Sequence, residues 1–567
     1  MANDYHYDKL VILNQVYQNT LASDKKYSPP ASIVTPLYPH QQTLVQGMHQ
    51  YKEKMLRGFI AGQQAVNGKI GIIGDPPGTG KTLSMLAYLA SYGHLYPSMT
   101  SELTPHSTRY FFSHDFHRLS EQSFSNLIIV PHSLFGQWKQ EIEKHTTLSY
   151  VPIETKRMLK PELIETIRTS SFILTTNKCY KFVQDYARDH QLQWNHIVID
   201  EASSIYLHAS DPLLRFQFLW MMTSHWIPLL FKNPTIIKST LFHLRDRVQI
   251  HPDLETWLLD HITSHYEGTL ASASFLKEYL CFFHENRGHL VLRNSTSHLE
   301  SSIQLPDIVQ NYLPCRPNLS LPSLTSYYLA RNKEPHIRSR NIPYLFQALG
   351  MEFTLGNNYQ ERAITAKKPL IARMIQDNEC VICLESCEYP TIVNCCYHMY
   401  CGKCLLTTTL FNCKCPTCRE PLQISNMCCL SSLSPQETLL AKNKTEVCLD
   451  LFRDHPNGKF IVYSSFDNIY YQLFDEIDRL GLKAERIESN LFSLLKTVRN
   501  FQQGKTNILF ISNIDLIRGL SLTKTSHLIF YHELPVYEQK QTLLHSSQRL
   551  GRTQPLTVLY LNSEIQV

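Results

Sequence analysis

Between Cys380 and Cys418 the chain places ten of its sixteen cysteines. Eight residues there read C-x2-C-x12-C-x-H-x2-C-x2-C-x10-C-x2-C: Cys380, Cys383, Cys396, His398, Cys401, Cys404, Cys415 and Cys418. Zinc takes four S or N ligands tetrahedrally, and a C-x2-C pair sets two thiolates on one turn, so four half-sites make two zinc sites. A disulfide framework is the alternative. It needs an oxidising compartment, and the polar opening Met1–Leu10 lacks the apolar core of a signal peptide. Cys387, Cys395 and Cys413 remain over, and Cys395 can compete with Cys396 for its place. A segment this polar cannot fold on burial alone, so metal binding is expected to supply its folding free energy.

A second chemistry lies at Lys69 to Thr82, KIGIIGDPPGTGKT. The residues of the loop proper are Asp75, Pro76, Pro77, Gly78, Thr79, Gly80, Lys81 and Thr82. Gly78 and Gly80 let backbone N–H groups face phosphates, Lys81 reaches the β/γ oxygens, and the Thr82 hydroxyl suits magnesium. Its acidic partner is WNHIVIDEAS, Trp194 to Ser203. There Asp200 would hold magnesium, commonly through water, and Glu201 would polarise the attacking water. An acidic pair closing a strand can also be a solvated turn; its place downstream of the phosphate loop favours the catalytic reading.

The elements that must position these residues are legible in outline. Ile70, Ile72 and Ile73 form an apolar run suited to a buried parallel strand, and His196–Ile199 reads as a second one. Leu134, Trp138 and Ile142 recur at helical spacing, which makes Trp138 a core residue rather than a base-stacking one. At 567 residues the chain has room for several domains. Its composition, 43% hydrophobic and 18% charged, is that of a globular protein. A net charge of +5 restricts any nucleic-acid contact to local basic surfaces. The most apolar stretch, Phe216 to Phe231, is broken by Thr223, Ser224 and His225, so no membrane span or membrane partner is expected.

In their order these segments resemble the Swi/Snf-type DNA translocases of helicase superfamily two, in which an acidic residue commonly stands at the Asp75 position. The likeness runs from about Tyr38 to Leu561. Tyr38-Pro39-His40-Gln41 resembles the segment whose glutamine reads adenine, here Gln41. Leu127 to His145 is similar to the strand and helix after the loop, and Leu174-Thr175-Thr176 to a strand end that contacts phosphate backbone. Thr223 and Ser224 match the hydroxyl pair that couples the ATP site to lobe movement. Leu290 to Cys315 is similar to the brace between lobes, with Arg293-Asn294 in place of the usual double arginine. Lys459 to Phe466 resembles the opening strand of the second lobe, and Arg518-Gly519-Leu520-Ser521-Leu522 its Gly-Leu-Asn-Leu turn. Gln548 to Pro555 resembles the closing motif, which implies an arginine finger at Arg549. That motif departs at Ser546 and Arg552, where the family carries arginine and glutamine.

The cysteine cluster resembles a RING finger inserted between the motor lobes, as in the translocases of postreplication repair. RING ligands interleave in a cross-brace. That implies one zinc on Cys380, Cys383, Cys401 and Cys404, and the other on Cys396, His398, Cys415 and Cys418. Ile382, Pro416 and Arg419 match the positions that engage a ubiquitin-conjugating enzyme and ubiquitin. The compactness of the chain suggests a virus-encoded or stripped-down member.

The expected class is therefore α/β: two RecA-like P-loop lobes with parallel sheets plus a small two-zinc cross-brace RING domain. The expected divisions are a first lobe over 1–315, an inter-lobe helical linker over 316–371, the RING over 372–428 and the second lobe over 429–567. The expected function is ATP- and magnesium-dependent translocation on double-stranded DNA, at the nucleus or a viral replication site. The RING would recruit a ubiquitin-conjugating enzyme and act as a ubiquitin ligase, or serve as a zinc-stapled structural module. Rival readings are a weak ATPase acting as a DNA-bound ubiquitin-ligase scaffold, and an RNA helicase with an accessory zinc module.

Overall fold

The computed structural model describes, apart from short stretches within them, residues 2–231, 249–261, 284–315, 379–429 and 442–562. The expected linker over 316–371 lies outside the described residues.

Apolar runs buried on both faces make parallel strands, and they build two sheets here. In the first, eight strands run parallel in the order Thr20–Leu21, Val291–Asn294, Ile70–Ile73, Phe216–Met222, Gln193–Asp200, Phe124–Val130, Phe172–Thr176, Tyr150–Ile153. An antiparallel hairpin, Met99–Thr104 with Ser113–Arg118, is attached to Phe216–Met222. Register places the chemistry. Ile73 pairs with Met222, and Met222 with Asp200. The phosphate loop, the Asp200-Glu201 pair and Thr223 therefore leave the sheet at one level, at the carboxyl ends of adjacent strands, where open α/β sheets bind ligands.

The second sheet is wholly parallel, in the order Ile308–Pro314, Leu556–Asn562, His527–Phe530, Phe460–Tyr463, Ile508–Ile511, Ala484–Arg486. Its first strand precedes the expected division at 315. Residues 308–314 pair along their whole length with 556–562, and Tyr312 stacks on Tyr560 with ring centroids 4.6 Å apart. The second lobe thus takes its edge strand from sequence that precedes the cysteine module.

The cysteine module is a three-stranded antiparallel sheet, Met399–Cys401, Pro390–Val393 and Met427–Cys429, with the helix Gly402–Phe411 beside it. Leu134, Trp138 and Ile142 are all buried in the core of the first lobe, as their spacing requires.

Candidate active site and candidate metal centres

The strand Ile70–Ile73 delivers the chain into the phosphate loop, and the helix Lys81–Ala90 begins at its end. Gly78 and Gly80 have φ of +81° and +79°, a left-handed backbone that side chains resist. Space demands glycine as well: a Cβ on Gly78 would lie 2.4 Å from the Arg549 Cβ, and one on Gly80 2.3 Å from Gln41 Nε2. Lys81 Nζ donates to the carbonyls of Asp75 and Pro76 at 2.8 and 2.9 Å. Burial lowers its pKa, and Glu201, Asp75 and Asp200 oppose that shift.

Three residues outside the loop hold it in shape. His40 Nε2 meets the Thr79 carbonyl at 2.8 Å, and since a carbonyl only accepts, that nitrogen carries the proton. His40 Nδ1 then accepts from the Ser302 hydroxyl at 2.7 Å. Gln41 is buried, accepts from Tyr38 N through Oε1 and donates to the Gly80 carbonyl through Nε2. Asp75 is fully buried, and both carboxylate oxygens take Asn294 donors, backbone and side chain, at 2.7 Å each. The residue read as an acidic departure in the loop thus ties the loop to the neighbouring strand.

The acidic pair is also positioned from a distance. Trp138 Nε1 donates to Asp200 Oδ2 at 2.7 Å, and Glu201 N donates to Asp200 Oδ1 at 3.0 Å. Trp138 is thus both a core residue and a holder of Asp200. Burial raises the Asp200 pKa, and the Trp138 bond counteracts it. Glu201 is pushed up to about 7 by burial first and then by Asp200. Ser203 Oγ meets Thr223 Oγ1 at 2.8 Å, joining the acidic turn to the next strand end.

The second lobe closes the cleft. Leu550 N donates to the Gly78 carbonyl at 3.2 Å, and His225 Nε2 meets Thr542 Oγ1 at 3.3 Å. Arg549 Nη1 donates to the carbonyls of Gly519 and Leu520 at 3.2 and 3.1 Å, and its charge acts on Glu141, Glu201 and Asp200. Arg552 has a different task. It is buried and donates to the carbonyls of Thr523, Thr525 and Pro555, bracing the lobe away from the cleft. Ser546 turns its hydroxyl to the Leu543 carbonyl within its own helix. The strand end at Thr175 and Thr176 does not present free hydroxyls: both residues are fully buried, and Thr175 Oγ1 donates to the Ile153 carbonyl.

In the cysteine module, Cys380 and Cys415 each open an equivalent turn, closed by Leu384 N to the Cys380 carbonyl and Arg419 N to the Cys415 carbonyl. Leu384 and Arg419 take φ of 57° and 63° to make these turns. The sulfurs of Cys380, Cys383, Cys401 and Cys404 lie within 4.8 Å of one another, and so do those of Cys395, Cys396, Cys415 and Cys418. Two sets of four convergent thiols fit zinc. In the second set the fourth converging sulfur is that of Cys395, where the resemblance implied His398, whose Nδ1 is enclosed and without a hydrogen bond. Adjacent cysteines on one turn can both reach a centre, and spacing alone does not choose between them and the histidine.

Sequence reasoning missed the roles of His40, Trp138 and Asn294. Only the resemblance around Tyr38-Pro39-His40-Gln41 carried a signal for the first.

Two parallel α/β lobes thus meet over a glycine-rich loop that leaves the carboxyl end of a central strand. Residues 40–219 match the model of the SNF2-related domain family. Among relatives, "Putative helicase R592" of Acanthamoeba polyphaga mimivirus is 27% identical over 204 residues, 33% of this chain and 24% of that protein. "DNA repair protein RAD5A" of Arabidopsis thaliana is 30% identical over 164 residues, 24% of this chain and 16% of that one. "Helicase-like transcription factor" of Homo sapiens is 21% identical over 514 residues, 78% of this chain and 48% of that one. Each alignment thus covers less than half of the relative's own length. A solved structure titled "Sulfolobus solfataricus SWI2/SNF2 ATPase core in complex with dsDNA" covers 95% of this chain and 90% of its own at 15% identity, with a TM-score of 0.30. Among the described residues no helix is long and apolar enough to cross a membrane.

Proposed function

We propose that this chain is an ATP-dependent double-stranded DNA translocase that remodels protein–DNA complexes in repair or transcription, without separating the strands. One observation carries the reading: the loop of Gly78 to Lys81 in the first lobe meets Arg549 of the second, with Leu550 N on the Gly78 carbonyl at 3.2 Å and an added Gly78 Cβ only 2.4 Å from the Arg549 Cβ. ATP would lie there, with its phosphates on the backbone of Gly78 to Lys81 and magnesium on Thr82 and Asp200. Bound magnesium would neutralise phosphate charge. Glu201 would orient and deprotonate the attacking water, and Arg549 would stabilise charge on the transferred phosphoryl group. Cleft closure and opening would step the lobes along one strand of a duplex. Exposed Lys156, Arg157, Lys160, Lys178 and Lys181, at the carboxyl ends of two neighbouring strands, offer a local basic surface for phosphates.

The cysteine module would hold two zinc ions, whose role is to fold it. Ile382 is 40% exposed beside exposed Val381 and Leu384, and Arg419 is exposed, which suits an apolar and basic contact with a ubiquitin-conjugating enzyme. Work on DNA would place the protein in the nucleus or at a viral replication site.

The test is displacement of a third strand from a DNA triplex, run beside unwinding of a forked duplex. ATP-dependent triplex displacement without unwinding supports translocation. Unwinding of the fork, or displacement without ATP, contradicts it.

A further inference from the structure

Among the described residues, Arg518 is a cation beside the cleft to which the mechanism above gives no role. Arg518 ends the short helical turn Ile514–Ile517, directly before Gly519. Gly519 is the residue whose carbonyl holds Arg549, and it packs so closely on Leu134 that a Cβ there would lie 2.6 Å from Leu134 Cδ1. Leu134 leads into the helix Phe135–His145, whose Trp138 holds Asp200. Arg518 is thus carried by the second lobe to the side of the cleft that meets the helix holding the acidic pair.

Its side chain is only 16% exposed. Nη2 pairs with Asp515 Oδ1 at 2.8 Å, and Asp515 itself is 61% exposed. Beside it, Nε is enclosed and has no hydrogen-bond partner. A buried guanidinium N–H without an acceptor is costly, and an anion that meets it removes that cost. The Arg518 charge also reaches Glu201, alongside Lys81 and Arg549.

We infer that Arg518 is a second guanidinium of the nucleotide site, contributed by the second lobe, that meets the terminal phosphate of a bound nucleoside triphosphate while Asp515 holds it in place. This rests on the ATPase reading above. Arg549 bonds the carbonyls of Gly519 and Leu520, directly after Arg518, so both guanidinium groups travel with the second lobe when the lobes move. A group that contacts only the terminal phosphate distinguishes triphosphate from diphosphate, and so commits the lobes to closing on ATP alone.

The experiment uses the full chain with Arg518→Ala, Arg518→Lys, Asp515→Asn and Lys81→Ala, all checked by thermal melting. It measures affinity for ADP, affinity for ADP with beryllium fluoride, and steady-state kcat and KM for ATP. For Arg518→Ala the expected result is ADP affinity within about twofold, with fluoride-complex affinity and kcat each down about tenfold or more. Arg518→Lys recovers part of the loss because the charge remains, and Asp515→Asn gives a smaller loss of the same kind. Wild-type kcat and fluoride-complex binding in a folded Arg518→Ala protein overturns the inference while the ATPase reading stands. If wild type hydrolyses no ATP, or Lys81→Ala hydrolyses it equally well, the reading and the inference fall together.

Discussion

Replacing Trp138 with Phe removes one hydrogen atom's worth of chemistry from a buried carboxylate. The Nε1–H bond to Asp200 Oδ2 is 2.7 Å long, Trp138 is 1% exposed and Asp200 6%. A bond to a charged acceptor contributes about 1.5–3 kcal/mol, because water cannot replace it in a dry core. The smaller ring adds roughly 1 kcal/mol of lost packing. Together that is about 2.5–4 kcal/mol, a large share of an ordinary domain's stability of about 5–15 kcal/mol. Catalysis should suffer separately. With Oδ2 released, Asp200 no longer has a fixed orientation, and each 1.4 kcal/mol of lost positioning costs about tenfold in rate. Urea unfolding would read the first effect and steady-state ATP hydrolysis the second. We expect a folded, less stable protein with kcat reduced about ten- to a hundredfold. Full kcat in a folded Trp138→Phe protein would refute the claim that the first-lobe core positions the acidic pair.

Three further outcomes follow from the geometry. Gly78→Ala forces a Cβ to within 2.4 Å of the Arg549 Cβ at a φ of +81°, so nucleotide binding and hydrolysis should both fall in a chain that keeps its melting temperature to within a few degrees. Zinc counted by elemental analysis should drop from two ions to one in Cys395→Ser and stay at two in His398→Ala; the reverse pattern would restore the histidine as ligand. Lys52 is buried, donating to Gln217 Oε1 and His196 Nε2, and desolvation holds its pKa down from 10.5 to about 7. Between those values the unfolded chain binds the extra proton, so stability should rise with pH above 7, by at most about 1.4 kcal/mol per unit, and this contribution should stay flat below 7. Urea midpoints of Lys52→Met across pH 7 to 9 should lose that rise, whereas an unchanged slope would show that Lys52 is not its source.

The parts of the site that a reader of the sequence can see are those whose chemistry demands fixed spacing along the chain. Gly78-Thr79-Gly80-Lys81-Thr82 must be contiguous to wrap phosphates, Asp200 and Glu201 must close a strand, and C-x2-C pairs must share a turn. The supporting contacts are hidden because they join distant residues. Trp138 to Asp200, His40 to Thr79 and Asn294 to Asp75 are single hydrogen bonds across the fold, with no periodicity to mark them. The helical stripe of Leu134, Trp138 and Ile142 reveals burial but not that an indole N–H points at a carboxylate. Strand exchange is equally silent. The segment 308–314 follows the first lobe in sequence, and only its parallel pairing with 556–562 assigns it to the second. Cys395, Cys396 and His398 lie so close along the chain that spacing leaves the choice open, and only the fold brings the Cys395 and Cys396 sulfurs together with those of Cys415 and Cys418.

The central claim is that one ATP-hydrolysing site is assembled from both lobes and answers to duplex DNA. Its most direct test is steady-state ATP hydrolysis by the full chain without nucleic acid, with duplex DNA, with single-stranded DNA and with RNA, comparing wild type with Lys81→Ala and Arg549→Ala. The account predicts strong stimulation by duplex, abolished by either substitution, with Arg549→Ala retaining ADP binding. Hydrolysis absent under every condition, or undiminished in Arg549→Ala, would contradict it.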